Sequence, residues 1–262
     1  KYCNSLRMRL LTRVSDNSSF SARASSEMAA ILGNPTSYPV IASNADNVQI
    51  NVLDLNTPIN SSGFRTGLED WNGNIATKAM IDHMKTNVDP RLRYVFEPGV
   101  NAAGVYTGLN QLADAAVQSA DIAGGKMAMY NRTTLSRNQY FPGVVMNAAE
   151  VSLMAAEAYV KAGNIAAAKT AYEKAITESI NYYVAIRALS KDATSPAVTA
   201  VAPAEITAYL ASAGVNFDNA TTNAARIALI GAQKWLHMNV VQPLELWSEN
   251  RRLDLSLSFW TD

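Results

Sequence analysis

The stretch AEAYVKAGNIAAAKTAYEKAI, Ala156–Ile176, limits what this chain can fold into more than any other. Gly163 and Asn164 separate two helical patterns, and Tyr159, Ala168, Tyr172 and Ala175 fall at the spacings of a tetratricopeptide unit. Small alanines let two helices approach closely, while the tyrosines fill the space beside them. One such pair cannot bury its own apolar face, so neighbouring helices are required.

Periodicity supplies them. Cys3, Leu6, Leu10, Leu11 and Val14 follow helical spacing, and Ser21 to Leu32 reads as a second helix stopped by Gly33, Asn34 and Pro35. Ile75 to Asn87 is helical up to the "DPRL" that follows, where Pro90 turns Asp89 away from helix. The last third reads as helices over Ala148–Ala162, Ile165–Leu189, Pro203–Ala213, Asn223–Asn239 and Pro243–Leu253, with both prolines at first-turn positions. Between them, residues 34–74 and Phe96–Val144 are rich in Gly, Asn, Ser and Pro. They hold a short alternating piece, Val48 to Leu55, that reads as an isolated strand, and a short helix near Leu109 to Ala120. Irregular segments of this length inside a compact domain are uncommon and more often functional than the average loop.

Composition narrows the classes. The 22 basic and 22 acidic side chains cancel, so no net field draws nucleic acid, which is excluded as a partner. A 48% hydrophobic content is enough for a sizeable core, and no apolar run approaches the roughly 20 residues of a membrane-spanning helix. Cys3, the lone cysteine, follows "KY" without the apolar run of a lipidated cysteine and is expected to be a buried thiol. With no initial methionine and no signal sequence, an N-terminal portion is expected to precede Lys1.

Four stretches, in order, resemble one family: KYCNSLRMRLLTRVSD (Lys1–Asp16), MIDHMKTNVDPRLRYVFEPG (Met80–Gly99), AAEVSLMAAEAYVKAGNIAAAKTAYEKAI (Ala148–Ile176) and QKWLHMNVVQPLELWSENRR (Gln233–Arg252). They look like the SusD/RagB family, the surface-exposed nutrient-binding lipoproteins of the Bacteroidota outer membrane. The resemblance implies an all-α fold, a tetratricopeptide-like helical-repeat scaffold with long irregular loop insertions, forming one helical domain over residues 1–262. It also implies a chain corresponding to the middle and C-terminal portion of a longer protein, anchored at the cell surface by an N-terminal lipid and paired with a SusC-type TonB-dependent transporter. The family has no fixed ligand-binding motif, so no binding residue carries over by identity.

Binding residues therefore have to come from chemistry. A glycan asks for an exposed aromatic against which the apolar face of a sugar can pack, with amides or Arg nearby for its hydroxyls. Tyr38, Phe64, Trp71 and Tyr106 lie in the loop-rich segments; Arg65 adjoins Phe64 and Asn72 adjoins Trp71, the leading candidate. Each aromatic serves either as such a platform or as a plug folded back on the scaffold. Tyr140 and Phe141 read as the hydrophobic staple of the repeat helix, and Trp235 and Trp247 as core.

Catalytic and cofactor motifs are missing from the sequence. His83 and His237 stand far apart without metal-ligand spacing, Gly124-Gly125-Lys126 is followed by Met127 rather than Ser or Thr, and no GxSxG occurs. No metal or cofactor is expected; Asp46, Asn47, Asp54 and Asn56 could ligate calcium, but turn formation explains them equally well. The expected function is non-catalytic capture of a glycan or other oligomeric nutrient for an outer-membrane transporter. The alternative is a tetratricopeptide-like adaptor for a partner protein or peptide, with a glycosidase a distant third.

Overall fold

The computed structural model describes residues 1–56, 60–70 and 73–253. In chain order the elements are α1 (Tyr2–Val14), α2 (Ser21–Gly33), β1 (Val48–Ile50), α3 (Ser62–Glu69), α4 (Lys78–Thr86), α5 (Leu92–Val95), β2 (Phe96–Glu97), α6 (Ala115–Ala123), β3 (Met129–Tyr130), β4 (Gly143–Met146), α7 (Ala148–Lys161), α8 (Ile165–Leu189), α9 (Pro203–Ala211), α10 (Asn223–Val241) and α11 (Pro243–Leu253). The fold is an all-α helical-repeat scaffold with a few short strands. Side-chain caps fix several helix starts: Thr77 accepts from the Met80 amide, Asn147 from Glu150 and Thr222 from Ala225. Among the described residues no helix is long and apolar enough to cross a membrane.

Two compact units divide the chain. The first takes Lys1–Ile50, Gly143–Ser179 and residues 216–253. In it the α1–α2 hairpin packs on α7 over a core of Met8, Met28, Ile31, Ile41, Met146, Val151 and Met154. Ala168, Tyr172 and Ala175 of the repeat are buried, and the Tyr172 ring lies 5.2 Å from that of Phe217. The Val48 strand is not isolated. It spans three residues and pairs antiparallel with β4, Val48 opposite Met146 and Ile50 opposite Gly143, a partner too distant in sequence for alternation to reveal.

In the first unit the inward face of α11 is mixed: beside buried Leu246 it carries Glu249 and Arg252, which meet Glu157 of α7 and Lys234 of α10. Lys234 is 2% exposed and donates to Glu157 at 2.8 Å and to Glu249; Arg252 reaches Glu157 at 2.6 Å. The outward face presents Leu244 and Trp247. Trp247, expected in the core, is 61% exposed with the Arg251 guanidinium 5.0 Å above its ring. Cys3, expected as a buried thiol, is likewise exposed, on the face of α1 opposite Met8.

A second polar array lies deep in this unit. His237 bonds through Nε2 to Asn147 Oδ1 at 2.9 Å and through Nδ1 to Ser179 Oγ at 2.9 Å. Because the Asn147 amide nitrogen donates to Gln242, its oxygen faces the ring, and Nε2 carries the proton. Gln242 passes the array on to Glu150, which Arg9 holds at 2.6 Å. His237 is thus a buried residue held by both ring nitrogens within the packing of this unit.

The second unit takes the described parts of Asn51–Pro142 together with Ile180–Val215, so α8 gives it the half beginning at Ile180. Met80, Ile81, Met84, Tyr94, Phe96, Leu135, Tyr183, Ile186 and Tyr209 fill its core. At "DPRL", Arg91 is 1% exposed and bonds Asp89 at 2.6 Å and the Tyr209 hydroxyl at 2.7 Å. β2 and β3 pair antiparallel. Three features of this unit differ from expectation: α6 begins at Ala115, α3 forms within a segment read as irregular, and a π-helical turn spans Arg132–Ser136.

Candidate functional site

In the second unit, one loop is held at both ends by glycines. A Cβ at Gly108 would stand 2.4 Å from Lys78 Cα, and one at Gly99 2.5 Å from the Gly125 carbonyl oxygen, so only glycine allows either approach. The Lys78 amide donates to the Leu109 carbonyl and the Leu109 amide to that of Ala76, both at 2.8 Å; the Asn101 amide donates to that of Gly125. Between these points Val100 and Val105 are exposed, and Tyr106 is half-buried with its carbonyl accepting from Lys85 Nζ at 3.0 Å.

Burial and the nearby Glu97 carboxylate push the Tyr106 phenol above its ordinary range, while Arg93 and Arg187 act in the opposite direction. Two of these charges are neutralised. Glu97, buried, pairs with Arg132, and Arg93 forms a two-pronged pair with Glu205 at 2.9 Å on each arm. Arg187 is different: its Nη1 donates to Asn131 Oδ1 at 2.8 Å and Thr134 Oγ1 at 3.2 Å, and its Nη2 to the Pro196 carbonyl at 2.9 Å. All three acceptors are neutral, and burial lowers this guanidinium from its ordinary pKa. The π-helical turn sets that geometry, because Asn131 caps it by accepting from the Thr134 amide at 2.9 Å and presents the same oxygen to Arg187.

The other expected residues are distributed. Phe64 lies on α3, half-buried, and stacks on Phe141 with ring centres 5.1 Å apart. That contact gives Phe141 a role other than the staple expected of it. Arg65 is exposed, 3.4 Å from Glu69, which Arg137 also holds at 2.9 Å. Tyr38 belongs to the first unit, half-buried against its core with Arg7 5.7 Å from the ring centre. Trp71 and Asn72 lie outside the described residues. Sequence reasoning missed Arg93, Asn131 and Arg187, since nothing in the spacing of a terminal-turn arginine tells whether a carboxylate will meet it.

The first unit carries a groove of about 620 Å³ between α1, α2 and α7. Leu11, Met28, Leu32, Met154 and Ala158 line it, with Tyr159 of the repeat at its side. Polar groups, among them Ser15, Ser25, Lys161 and Asn164, lie along the same lining. Among the described residues no group of three or more His, Cys, Asp and Glu could hold a metal ion. Asp46 instead accepts locally from the Ala42 amide and forms an ion pair with Lys1, and Asp54 accepts from the Asn56 amide at 2.9 Å within its turn.

Comparison with known proteins agrees with the helical scaffold. The model of the SusD-like family, described as starch-binding and associating with the outer membrane, matches residues 1–257. No match was found among curated proteins. Among solved structures, a SusD homologue of Bacteroides fragilis is similar with TM-score 0.78 at 19% identity, over 98% of this chain and 55% of that one. A Bacteroidetes SusD-like protein gives 0.74 at 19% identity, over 97% and 58%. A chitin-binding protein gives 0.71 at 22%, over 97% and 51%. These likenesses concern the fold, and the chain spans little more than half the length of each relative.

Proposed function

We propose a function from one premise: the chain belongs to the SusD-like family of starch-binding proteins that associate with the outer membrane. The protein captures a glycan at the cell surface and passes it to a SusC-type TonB-dependent transporter, without a chemical step of its own. It is held at the outer membrane by an N-terminal lipid. The observation that carries this reading is the family match over residues 1–257. The clasped loop of the second unit supports it, because it offers Tyr106 and exposed apolar side chains beside hydrogen-bonding arginines, the combination a sugar ring requires.

Binding is read by affinity electrophoresis and calorimetry against a panel of polysaccharides. Tyr106→Ala lowers affinity about tenfold, as truncation of a central contact does. Trp71→Ala and Phe64→Ala, run alongside, rank the remaining aromatic candidates. Absence of binding to every glycan in the panel sinks the reading.

The groove of the first unit favours a second reading, an adaptor that seats an amphipathic helix of a partner protein. Pull-down from cell envelopes separates the two. A β-barrel transporter supports the first, and a soluble partner lost on Ala158→Glu, at a half-buried groove position, supports the second.

A further inference from the structure

Arginines in this molecule are mostly matched. Arg9, Arg91, Arg93, Arg132, Arg137 and Arg252 each meet a carboxylate within 3.0 Å or closer. Within the second unit Arg187 stands apart: half-buried, it meets three neutral oxygens and no carboxylate among the described residues. Partial burial with no carboxylate in hydrogen-bonding contact is an unfavourable state for a cation; the Glu97 carboxylate, already paired with Arg132, offsets only part of it, and a charged partner would relieve the rest. Its acceptors engage Nη1 and one proton of Nη2, while Nε donates to none of them. The Nε and Nη2 side of a guanidinium is a fork that matches the two oxygens of a carboxylate.

The surroundings favour an anion there. Glu97 is taken by Arg132 and Glu205 by Arg93, so Arg187 supplies the surplus positive charge. Tyr106 feels that charge together with that of Arg93, which brings the aromatic candidate and the unmatched cation into one neighbourhood. We infer that the captured glycan is acidic, with the carboxylate of a uronic acid residue docking on Arg187 beside Tyr106. This inference rests on the glycan-binding reading above and names its ligand class.

Three uronate polymers serve as probes: polygalacturonate, alginate and hyaluronan, each beside its carboxyl-reduced counterpart, in which the acid has become a neutral alcohol. Wild-type protein is expected to bind at least one acidic polymer about ten- to a hundredfold more tightly than its reduced form, the range of a charge-assisted pair. Added salt weakens the acidic complex and leaves the neutral one unchanged. Arg187→Gln removes the preference while Arg187→Lys keeps part of it, with thermal melts confirming that both fold. The acid-against-reduced comparison needs only the wild type, so it stands even if a variant fails to fold. Equal affinity for acidic and reduced polymers, tight binding of neutral glycans only, or an unchanged preference in Arg187→Gln overturns the acidic-ligand inference and leaves glycan capture intact. Failure to bind any glycan overturns both.

Discussion

Lys234 in the first unit and Arg187 in the second are both cations drawn out of water on a long helix, yet they are treated differently. Lys234 sits between Glu157 and Glu249, with Arg252 across the same two carboxylates. Arg187 has an amide oxygen, a hydroxyl and a carbonyl. Enclosure alone would push Lys234 towards its neutral form, so the carboxylates are what keep it charged inside, whereas the Arg187 guanidinium keeps its charge without one. A cation that is matched internally holds helices together. One left with neutral partners costs stability and remains available to an outside charge.

The largest test of this contrast is Glu157→Ala, which leaves Lys234 and Arg252 to share Glu249 and should cost about 3–5 kcal/mol in chemical denaturation. Acid gives the same result reversibly. Burial alone would raise the Glu157 and Glu249 carboxyls, but Lys234 and Arg252 outweigh it and hold both below the ordinary value of 4.5. Since the folded value lies below the unfolded one, their contribution is complete above pH 4.5 and is lost as pH falls below it. Denaturation midpoints measured down this range should show the gap between wild type and Glu157→Ala narrowing; a constant gap would break the comparison.

Arg187→Gln should change stability by no more than about 1 kcal/mol, because only bonds to neutral acceptors are lost and an unmatched charge goes with them. A loss as large as that of Glu157→Ala would mean that the two cations do the same job. Trp247→Ala comes last, within about 0.5 kcal/mol by thermal melt, as for an exposed side chain.

How much of this was legible from sequence depended on how local the cause is. Helices α7, α8, α10 and α11 follow from apolar period and first-turn prolines, and their ends match within two residues. The π-helical turn, α3 and the β1–β4 pairing depend on distant partners and left no local pattern. Trp247 shows a subtler failure. Its helix was identified, but the stripe facing inward is the one bearing Glu249 and Arg252, because Lys234 and Glu157 wait there to match it. Period finds a helix; which face turns inward is decided by what it meets. At the candidate site, Tyr106 could be named from its residue type and loop context, whereas Arg187 could not, since its distinction is that its partners among the described residues include no carboxylate.

The two glycine clasps carry a consequence for diversification. With Gly99 and Gly108 fastened to backbone on either side, and Gly104 at positive φ and the Asn101 side chain bonded to the Gly124 carbonyl between them, the loop keeps its path while exposed positions such as Val100 and Val105 are exchanged. A lineage could then retune what it captures by rewriting those exposed positions, leaving the scaffold as a constant chassis.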